Sequence, residues 1–497
     1  MTENKKIKRI LEIIPGALSW TAILGLICLS IVNPVVCAVI IIVFDFYWII
    51  RTAYLTTLLL MAHRKLLKDK NKNWLKACEN LSPKHDWQSL YHLIIFPVYK
   101  EEADILRASL NALRSSHYPK EKLIVVMAFE ERYKPGRETA KILEKEFREE
   151  FGGYLTSFHP DGLSQEKRLK GANATWAAKI ARDYLEARHV SIDQVIVSCF
   201  DADTCVDRQY FGCLTYHFAV NPKPHQASYQ PVPVYNNNIW YAPSFARIVE
   251  ISASFCQLIE SMRLEKFVTF SSHSMSFKTL VDIDYWPRDM VSDDSVVYWK
   301  AYLHYKGVYR VIPLYITVSM DIAYSTNLFK TIAVQYKQKR RWAWGVENFP
   351  YVVSRFLNNP DIPMSKKIRR SFHLLEGHVT WAIWATIMVV IGPLPILLGG
   401  FFFNQMPIGY NLPRITGMLL NFTLITSLVW IFLTRTILPP RPKDVKWFVN
   451  ILMFLEWTIV PFIIIIVGST PALDAQTRLM LARYMEFFPT EKLRRVV

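Results

Sequence analysis

Residues 194–203 read QVIVSCFDAD, an apolar run that ends in two carboxylates separated by one residue. The run has the length and composition of a buried β-strand, so Asp201 and Asp203 are predicted to lie at its carboxyl end. Ligands of open α/β sheets bind beyond the carboxyl ends of the strands. Two carboxylates there are suited to bind Mg²⁺ or Mn²⁺ against the phosphates of a nucleotide. Asp-x-Asp is frequent by chance, however, and its alternative interpretation is a pair of solvated turn residues.

Two more strand-like runs precede this one, at residues 92–98 and 122–129. Leucines at helical spacing follow the first run, a charged helical stretch at 138–150 follows the second, and a third helix is predicted at 174–188. This alternation predicts an α/β domain with a parallel sheet and helices on its faces. The polar residues that follow each strand then converge on one edge of the sheet.

Five apolar stretches are predicted to be transmembrane helices, since about 20 residues cross a bilayer core of roughly 30 Å. They are residues 13–32, 34–61, 379–402, 415–433 and 447–467. The net charge of +17 is concentrated beside them, at 64–72, 366–370 and 435–446. The positive-inside rule therefore predicts a multi-pass protein of the cell membrane whose middle region is cytoplasmic. No aromatic-interleaved motif accompanies the charge, so membrane lipid and not nucleic acid is the predicted partner.

The chain is predicted to have four regions. These are two N-terminal transmembrane helices in residues 1–62, a cytoplasmic domain with interface helices in 63–370, C-terminal transmembrane helices in 371–468, and a basic tail in 469–497. Five spans would place the tail outside, whereas basic residues such as Arg478, Lys492, Arg494 and Arg495 favour the cytoplasm. Two arrangements are therefore considered: a re-entrant hairpin broken at Pro461, or a tail that lies along the membrane interface.

Two ionisable residues, Asp45 and Glu456, lie in or near the predicted spans. A charge in an apolar span usually faces protein or water. One hypothesis is that both residues line a hydrated path for a saccharide, together with Trp48 and Trp457. The alternative places Asp45 near the bilayer edge and Glu456 in hydrogen bonds within the helix bundle.

Two further motifs follow Asp-x-Asp in order, Ser292-Asp293-Asp294 and Gln338-Lys339-Arg340-Arg341-Trp342. With this ordered set the chain resembles the membrane-embedded family-2 glycosyltransferases, which include cellulose, chitin and hyaluronan synthases and ceramide glucosyltransferases. The resemblance covers residues 93–342 and the flanking spans. It implies a GT-A-like α/β domain for a nucleotide sugar, inserted between transmembrane helices, and hexosyl transfer that depends on a divalent metal.

Other segments are similar to the family at single positions. Glu130 stands where an Asp commonly contacts the nucleotide base and ribose, and Lys170 and Asn173 match the Lys and Asn beside the donor. Residues 271–274 occupy the acceptor-side segment without its usual Gly and Thr or Asn. The predicted donor-binding residues are therefore Glu130, Lys170, Asn173, Asp201, Asp203, Gln338 and Arg341.

The chemistry of these residue types agrees with that assignment. A metal ion on Asp203, with Asp201 nearby, would neutralise the leaving nucleoside diphosphate, and Arg341 would add a planar fork of donors to the same phosphates. Asp294 is the predicted general base for the acceptor hydroxyl. One base and direct displacement imply inversion at the anomeric carbon. Trp342 is predicted to offer an apolar face to the acceptor sugar, and its alternative role is that of an ordinary interface aromatic.

The leading hypothesis is a processive synthase that adds sugar to a growing polysaccharide. A non-processive transferase that glycosylates a membrane lipid is the alternative, because Gln-x-x-Arg-Trp occurs in both groups. A transporter or receptor with ion-binding carboxylates is disfavoured, since the candidate site lies in the domain between the spans and not in broken helices near the bilayer centre. Neither the sugar nor the linkage is predicted, because both depend on the shape of the pocket.

Overall fold

An eight-stranded mixed sheet forms the centre of the computed structural model, which describes residues 5–164 and 166–486. The strands are β1 (Tyr91–Val98), β2 (Leu123–Glu130), β3 (Gly153–His159), β4 (Val195–Cys199), β5 (Cys205–Val206), β6 (Ala227–Tyr235), β7 (Ser274–Ser276) and β8 (Arg310–Met320). Their order is β3-β2-β1-β4-β7-β6-β8-β5. Strands β1 to β4 are parallel to one another, β6 pairs in parallel with β8, and β7 runs antiparallel between β4 and β6.

The α/β class predicted from the sequence is confirmed, and the three predicted strands correspond to β1, β2 and β4. The prediction of a parallel sheet is wrong beyond β4, where β7 and β5 are antiparallel to their partners. Strand β7 is only Ser-Met-Ser, too short to show a periodic pattern. Strand β6 contains Pro231 and Pro233 beside a shift of register, and proline is a signal against a central strand.

Two long helices precede the sheet, α1 (Lys5–Val32) and α2 (Pro34–Lys70). The helices of the central domain are α3 (Trp74–Glu79), α4 (Ala103–Arg114), α5 (Gly136–Phe147), α6 (Lys170–Ala187), α7 (Tyr210–Val220), α8 (Ser244–Glu260), α9 (Phe277–Asp282), α10 (Asp293–His304), α11 (Leu328–Ala343) and α12 (Asn348–Leu357). After them come α13 (Met364–Ala385), α14 (Leu394–Leu398), α15 (Gly400–Gln405), α16 (Pro407–Ile437), α17 (Val449–Leu455), α18 (Val460–Ile463) and α19 (Thr470–Met480).

The sheet is covered by helices on both faces, because successive side chains of a strand point to opposite sides. On β1, Ile94 and Phe96 pack with the leucines of α4, whereas Leu93 and Ile95 pack against the alanines of α6. Small residues along α6 let it lie close to the sheet. Its first residue, Lys170, is thereby brought to the edge at which β4 ends.

Three helices are long and apolar enough to cross a membrane: Lys5–Val32, Pro34–Lys70 and Met364–Ile391. A shorter apolar helix, Leu428–Ile437, lies at the end of α16 among the described residues. The segment from α17 to residue 469 is helical with changes of pitch, including a 3-10 turn at Glu456–Ile459 and a π turn at Ile464–Ser469. The basic residues Lys492, Arg494 and Arg495 lie outside the described part of the chain, so the location of the tail stays a prediction.

Glu456 forms a buried ion pair with Arg247 of α8. Arg247 donates to both carboxylate oxygens, over 3.1 Å to Oε2, and Ser244 Oγ donates to Oε1 over 2.6 Å. Both side chains of the pair are less than a tenth exposed. Glu456 is thus hydrogen-bonded, as one of the two alternatives predicted, but its partners belong to α8 of the central domain and not to the bundle of apolar helices. Asp45 is buried in α2 and accepts a hydrogen bond from Thr416 Oγ1 over 3.3 Å.

We expect Arg247→Met to destabilise the protein by about 3–5 kcal/mol, because it leaves the buried Glu456 carboxylate without its cation. Ser244→Ala removes one hydrogen bond to the same carboxylate and should cost about 1 kcal/mol. Thermal unfolding in detergent, followed by tryptophan fluorescence, compares the two variants. If both variants lose the same free energy of unfolding, the ion pair contributes no more to stability than the single hydrogen bond from Ser244.

Candidate active site

Lys170 lies between two carboxylates that come from distant parts of the chain. Its Nζ is 2.8 Å from Asp201 Oδ1 and donates to Asp294 Oδ1 and Oδ2 over 3.0 and 3.1 Å. Burial alone would lower the pKa of the ammonium, but the charges of Asp201 and Asp294 outweigh burial and hold that pKa well above its ordinary value. The ammonium therefore remains charged and joins the end of β4 to the start of α10.

The backbone beside Lys170 requires a glycine. A Cβ on Gly171 would lie 2.3 Å from the carbonyl oxygen of Pro287 and 3.0 Å from Cβ of Asp293. The absence of a side chain lets α6 approach the loop that leads into α10. This close approach brings Lys170 within reach of Asp294.

The two residues of Asp-x-Asp have different surroundings. Asp201 faces the interior of the site, and Ser271 Oγ donates to its Oδ2 over 2.6 Å. Asp203 is fully buried, and its Oδ2 accepts the main-chain N–H of Asp321 over 2.7 Å. Asn237 Nδ2 donates to the main-chain oxygen of Asp203 over 3.0 Å. Asp203 is thus fixed against the end of β8, behind Asp201.

A cavity of about 250 Å³ opens at this edge of the sheet. Its walls include six of the predicted site residues: Lys170, Asp201, Asp294, Gln338, Arg341 and Trp342. They also include Tyr235, Asp293 and Asp321, which the sequence did not single out as ligand-binding residues. Asp321 directly follows β8, so its position after a strand was a signal, but β8 itself was not predicted. The three motifs of the sequence therefore meet at one cavity.

Three other residues predicted to bind the donor, Glu130, Asn173 and Asp203, do not line this cavity. Glu130 ends β2, is ion-paired with Arg132, and borders a separate cavity of about 20 Å³. Burial raises the pKa of the Glu130 carboxyl, against the opposing effect of Arg132. Asn173 is buried in α6 and donates from Nδ2 to the main-chain oxygen of Ala128 over 2.7 Å. Asn173 thereby ties α6 to β2, and donor binding by any of the three residues stays a prediction.

Asp293 and Asp294 begin α10 and differ in their environment. The carboxylate of Asp294 contacts Lys170, and His273 Nδ1 lies 3.8 Å from its Oδ1. Asp293 is 5% exposed, and burial together with the charge of Asp294 raises its pKa to about 8. The raised pKa favours a proton on Asp293 at neutral pH, and Asp294 is the member of the pair that contacts Lys170.

Thr269 and Ser271 contact the two aspartates that Lys170 joins. Thr269 Oγ1 donates to the main-chain oxygen of Asp294 over 2.6 Å, while Ser271 bonds Asp201. Ser272 has a φ of +63°, a left-handed conformation that favours glycine, and its Oγ lies 3.0 Å from Thr204 Oγ1.

Helix α11 presents the third motif at its last turn. Gln338 and Arg341 line the cavity, and Lys339 is turned inward, where its Nζ donates to both oxygens of Glu250 over 3.0 Å. The same Nζ lies 3.5 Å from the ring centroid of Trp342. The buried Lys339–Glu250 pair was not found from the sequence, because Glu250 lies in a helix with no motif of its own.

The carboxylates of Asp201 and Asp203 are the kind of ligand that Mg²⁺ and Mn²⁺ prefer. No three His, Cys, Asp or Glu side chains within residues 5–164 and 166–486 are grouped so as to hold a metal by themselves. Metals of this class commonly bind through one or two carboxylates plus the phosphates of the substrate. Asp201 lines the cavity and can offer its carboxylate to a metal that the donor completes, whereas the carboxylate of Asp203 is fully buried and does not line the cavity.

The sequence profile of the family described as glycosyl transferase family group 2 matches residues 196–465, more than half of the chain. The chain belongs to that family, and it is thus a glycosyltransferase of the kind that uses a nucleotide-sugar donor. A search of curated proteins found no match.

Two solved structures are similar at low identity. The mannosyltransferase PcManGT from Pyrobaculum calidifontis, in complex with GDP-Man and Mn²⁺, is 14% identical over 80% of this chain and 98% of that chain, with a TM-score of 0.43. TarS 1-349 from S. aureus, in complex with UDP-GlcNAc, is 16% identical over 70% of this chain and 90% of that chain, with a TM-score of 0.39.

The raised pKa of Asp293 makes stability depend on pH. The folded protein keeps a proton on Asp293 that the unfolded chain releases near its ordinary pKa of 3.8, so the free energy of unfolding falls as pH rises from there to about 8. The slope is at most about 1.4 kcal/mol per pH unit. Asp293→Asn should flatten this part of a thermal-unfolding profile, whereas Asp289→Asn, at an exposed position, should not. Identical slopes for wild type and Asp293→Asn would refute the assignment.

Proposed function

We propose that the protein is a metal-dependent, inverting hexosyltransferase of the cell membrane that adds sugar from a nucleotide-sugar donor to a growing polysaccharide. Its catalytic domain, residues 63–370, faces the cytoplasm. The observation that carries the proposal is the position of Lys170 between Asp201 and Asp294, which joins the donor side of the cavity to the predicted base. A cavity with a cation at this junction suits a reaction in which negative charge develops on a leaving diphosphate.

The charge of the cavity walls favours the binding of a metal ion together with the donor. Apart from Asp293, whose raised pKa favours the uncharged form, its walls carry the carboxyl groups of Asp201, Asp294 and Asp321 against the cations of Lys170 and Arg341. A nucleoside diphosphate would be repelled by such a wall unless a further cation entered with it. Mg²⁺ or Mn²⁺ on Asp201 and Asp203 would offset that repulsion and neutralise the leaving diphosphate.

The proposed reaction assigns one role to each side of the cavity. The acceptor hydroxyl gives its proton to Asp294 as its oxygen attacks the anomeric carbon, and the bond from that carbon to the diphosphate breaks. Lys170 and Arg341 bind the diphosphate oxygens, with the guanidinium fork of Arg341 able to contact two of them. Because the nucleophile enters opposite the leaving group, the configuration of the anomeric carbon is inverted.

The acceptor is proposed to be a saccharide because two aromatic rings line the cavity. The ring centroids of Tyr235 and Trp342 are 5.8 Å apart, with their planes inclined by 33°. Sugar rings pack their apolar faces on such surfaces. Transfer of a single sugar to a membrane lipid is the alternative, and the length of the product formed from radiolabelled donor separates the two.

Asp294→Asn keeps the shape of the side chain but removes the proton acceptor, so we expect transfer to fall by about 10²-fold or more while the donor still binds. The assay is a screen of radiolabelled nucleotide sugars with purified protein in membrane vesicles. Asp293→Asn is the matched control, because it replaces a group that is already uncharged. A larger loss of transfer in Asp293→Asn than in Asp294→Asn would identify Asp293 as the base. If the wild type transfers sugar from none of the nucleotide sugars, the proposed function is refuted.

Removal of the metal should abolish transfer. We expect excess chelator to stop turnover and added Mn²⁺ to restore it, because the diphosphate then regains its counter-charge. Asp203→Asn and Asp201→Asn should weaken the binding of a nucleoside diphosphate in the presence of Mn²⁺, measured by equilibrium dialysis. Asp207→Asn, beyond β5 and outside the cavity, is the control. Full activity in chelator would exclude the metal.

A further inference from the structure

The last described helix, α19, packs between the membrane helix α1 and the motif helix α11. We propose that Asp474 of α19 is a positioning residue for Arg341 and Trp342, and that α1 holds α19 in place. This inference rests on the proposed function, since it concerns the same cavity. Helix α19 belongs to the predicted basic tail, so the first part of the tail would help to fix the position of the motif helix at the cavity.

Asp474 contacts α11 through a residue inside the third motif. Arg340 Nη1 donates to Asp474 Oδ2 over 2.8 Å, and Tyr336 Oη donates to the same oxygen over 3.2 Å. The other oxygen, Oδ1, accepts from Nε of Arg478 over 2.7 Å within α19. One carboxylate thus binds one arginine of the motif and one arginine of its own helix.

Apolar packing fixes the residues that directly follow the motif. Ala343 and Trp344, 2% and 1% exposed, pack against Ala472, Ala475 and Leu479 of α19. The motif is therefore fastened to α19 on both sides of Arg341 and Trp342, by Arg340 before them and by Ala343 after them. Arg341 and Trp342 themselves line the cavity.

The opposite side of α19 is joined to α1. Ser19 Oγ donates to Gln476 Oε1 over 2.7 Å, and Trp20 Nε1 donates to Thr477 Oγ1 over 2.9 Å. At Gly16 an added Cβ would lie 2.9 Å from the main-chain oxygen of Gln476 and 3.0 Å from Cβ of Met480. The two helices are therefore too close at this point to admit a larger side chain. A displacement of α1 would move α19 and, through Asp474, the last turn of α11.

Asp474→Asn tests the contact, and Arg478→Gln is the matched control because it removes the other arginine from the same carboxylate. We expect Asp474→Asn to lower kcat for transfer about tenfold, with the KM for the donor changed less than threefold, and Arg478→Gln to stay within twofold of wild type. The double variant Asp474→Lys with Arg340→Glu reverses the pair and should recover at least half of the lost rate. Equal effects of Asp474→Asn and Arg478→Gln, or no recovery in the reversed pair, would overturn the proposal.

Hydrogen exchange gives a measurement that does not depend on turnover. Backbone amides of residues 335–345 should exchange faster in Asp474→Asn and in Gly16→Leu than in wild type, but not in Arg478→Gln. Unchanged exchange in the first two variants would refute the positioning role even if the protein transferred no sugar. If the wild type transfers no sugar but the two variants still exchange faster than the wild type, the positioning role of α19 stands and only the proposed function is refuted.

Discussion

The ion pairs of Lys170 with Asp201 and Asp294 are the interactions on which the rest of the site depends. Two carboxylates in a partly buried cavity repel each other unless a cation lies between them. The ammonium supplies that cation and joins β4 to α10. The packing of the surrounding chain makes this contact possible. The alanines of α6 bring Lys170, the first residue of that helix, to the edge of the sheet, and Gly171 allows the loop before α10 to approach.

Two further ion pairs, one buried and one partly exposed, hold the motif helix beside the cavity. The Lys339–Glu250 pair lies under Trp342, and the Arg340–Asp474 pair fastens the motif helix from the other side. A buried pair gains little stability over an apolar contact of the same size, but it is sensitive to the loss of either partner. Two successive residues of α11, Lys339 and Arg340, thus have partners in two different helices.

The sequence predicted the parts of the site that carry a local pattern. Asp201 was found because it ends an apolar strand, and Asp294 and Arg341 because their motifs occur in order. Strand β7 was missed because three residues show no period, and Asp321 was missed with β8. The contact of Asp474 with Arg340 joins residues 134 positions apart. No local pattern indicates such a pair, because it depends on how α19 packs against α1 and α11.

The most direct test of the account is the structure of the protein with a nucleoside diphosphate and Mn²⁺ bound, determined by cryo-electron microscopy. The account predicts the diphosphate in the cavity between β4 and α11, in contact with Lys170 and Arg341, with Mn²⁺ on the carboxylate of Asp201 or Asp203. A diphosphate bound at another surface, or bound here without contact to Lys170, would contradict the central claim that this lysine joins the donor side of the site to the base.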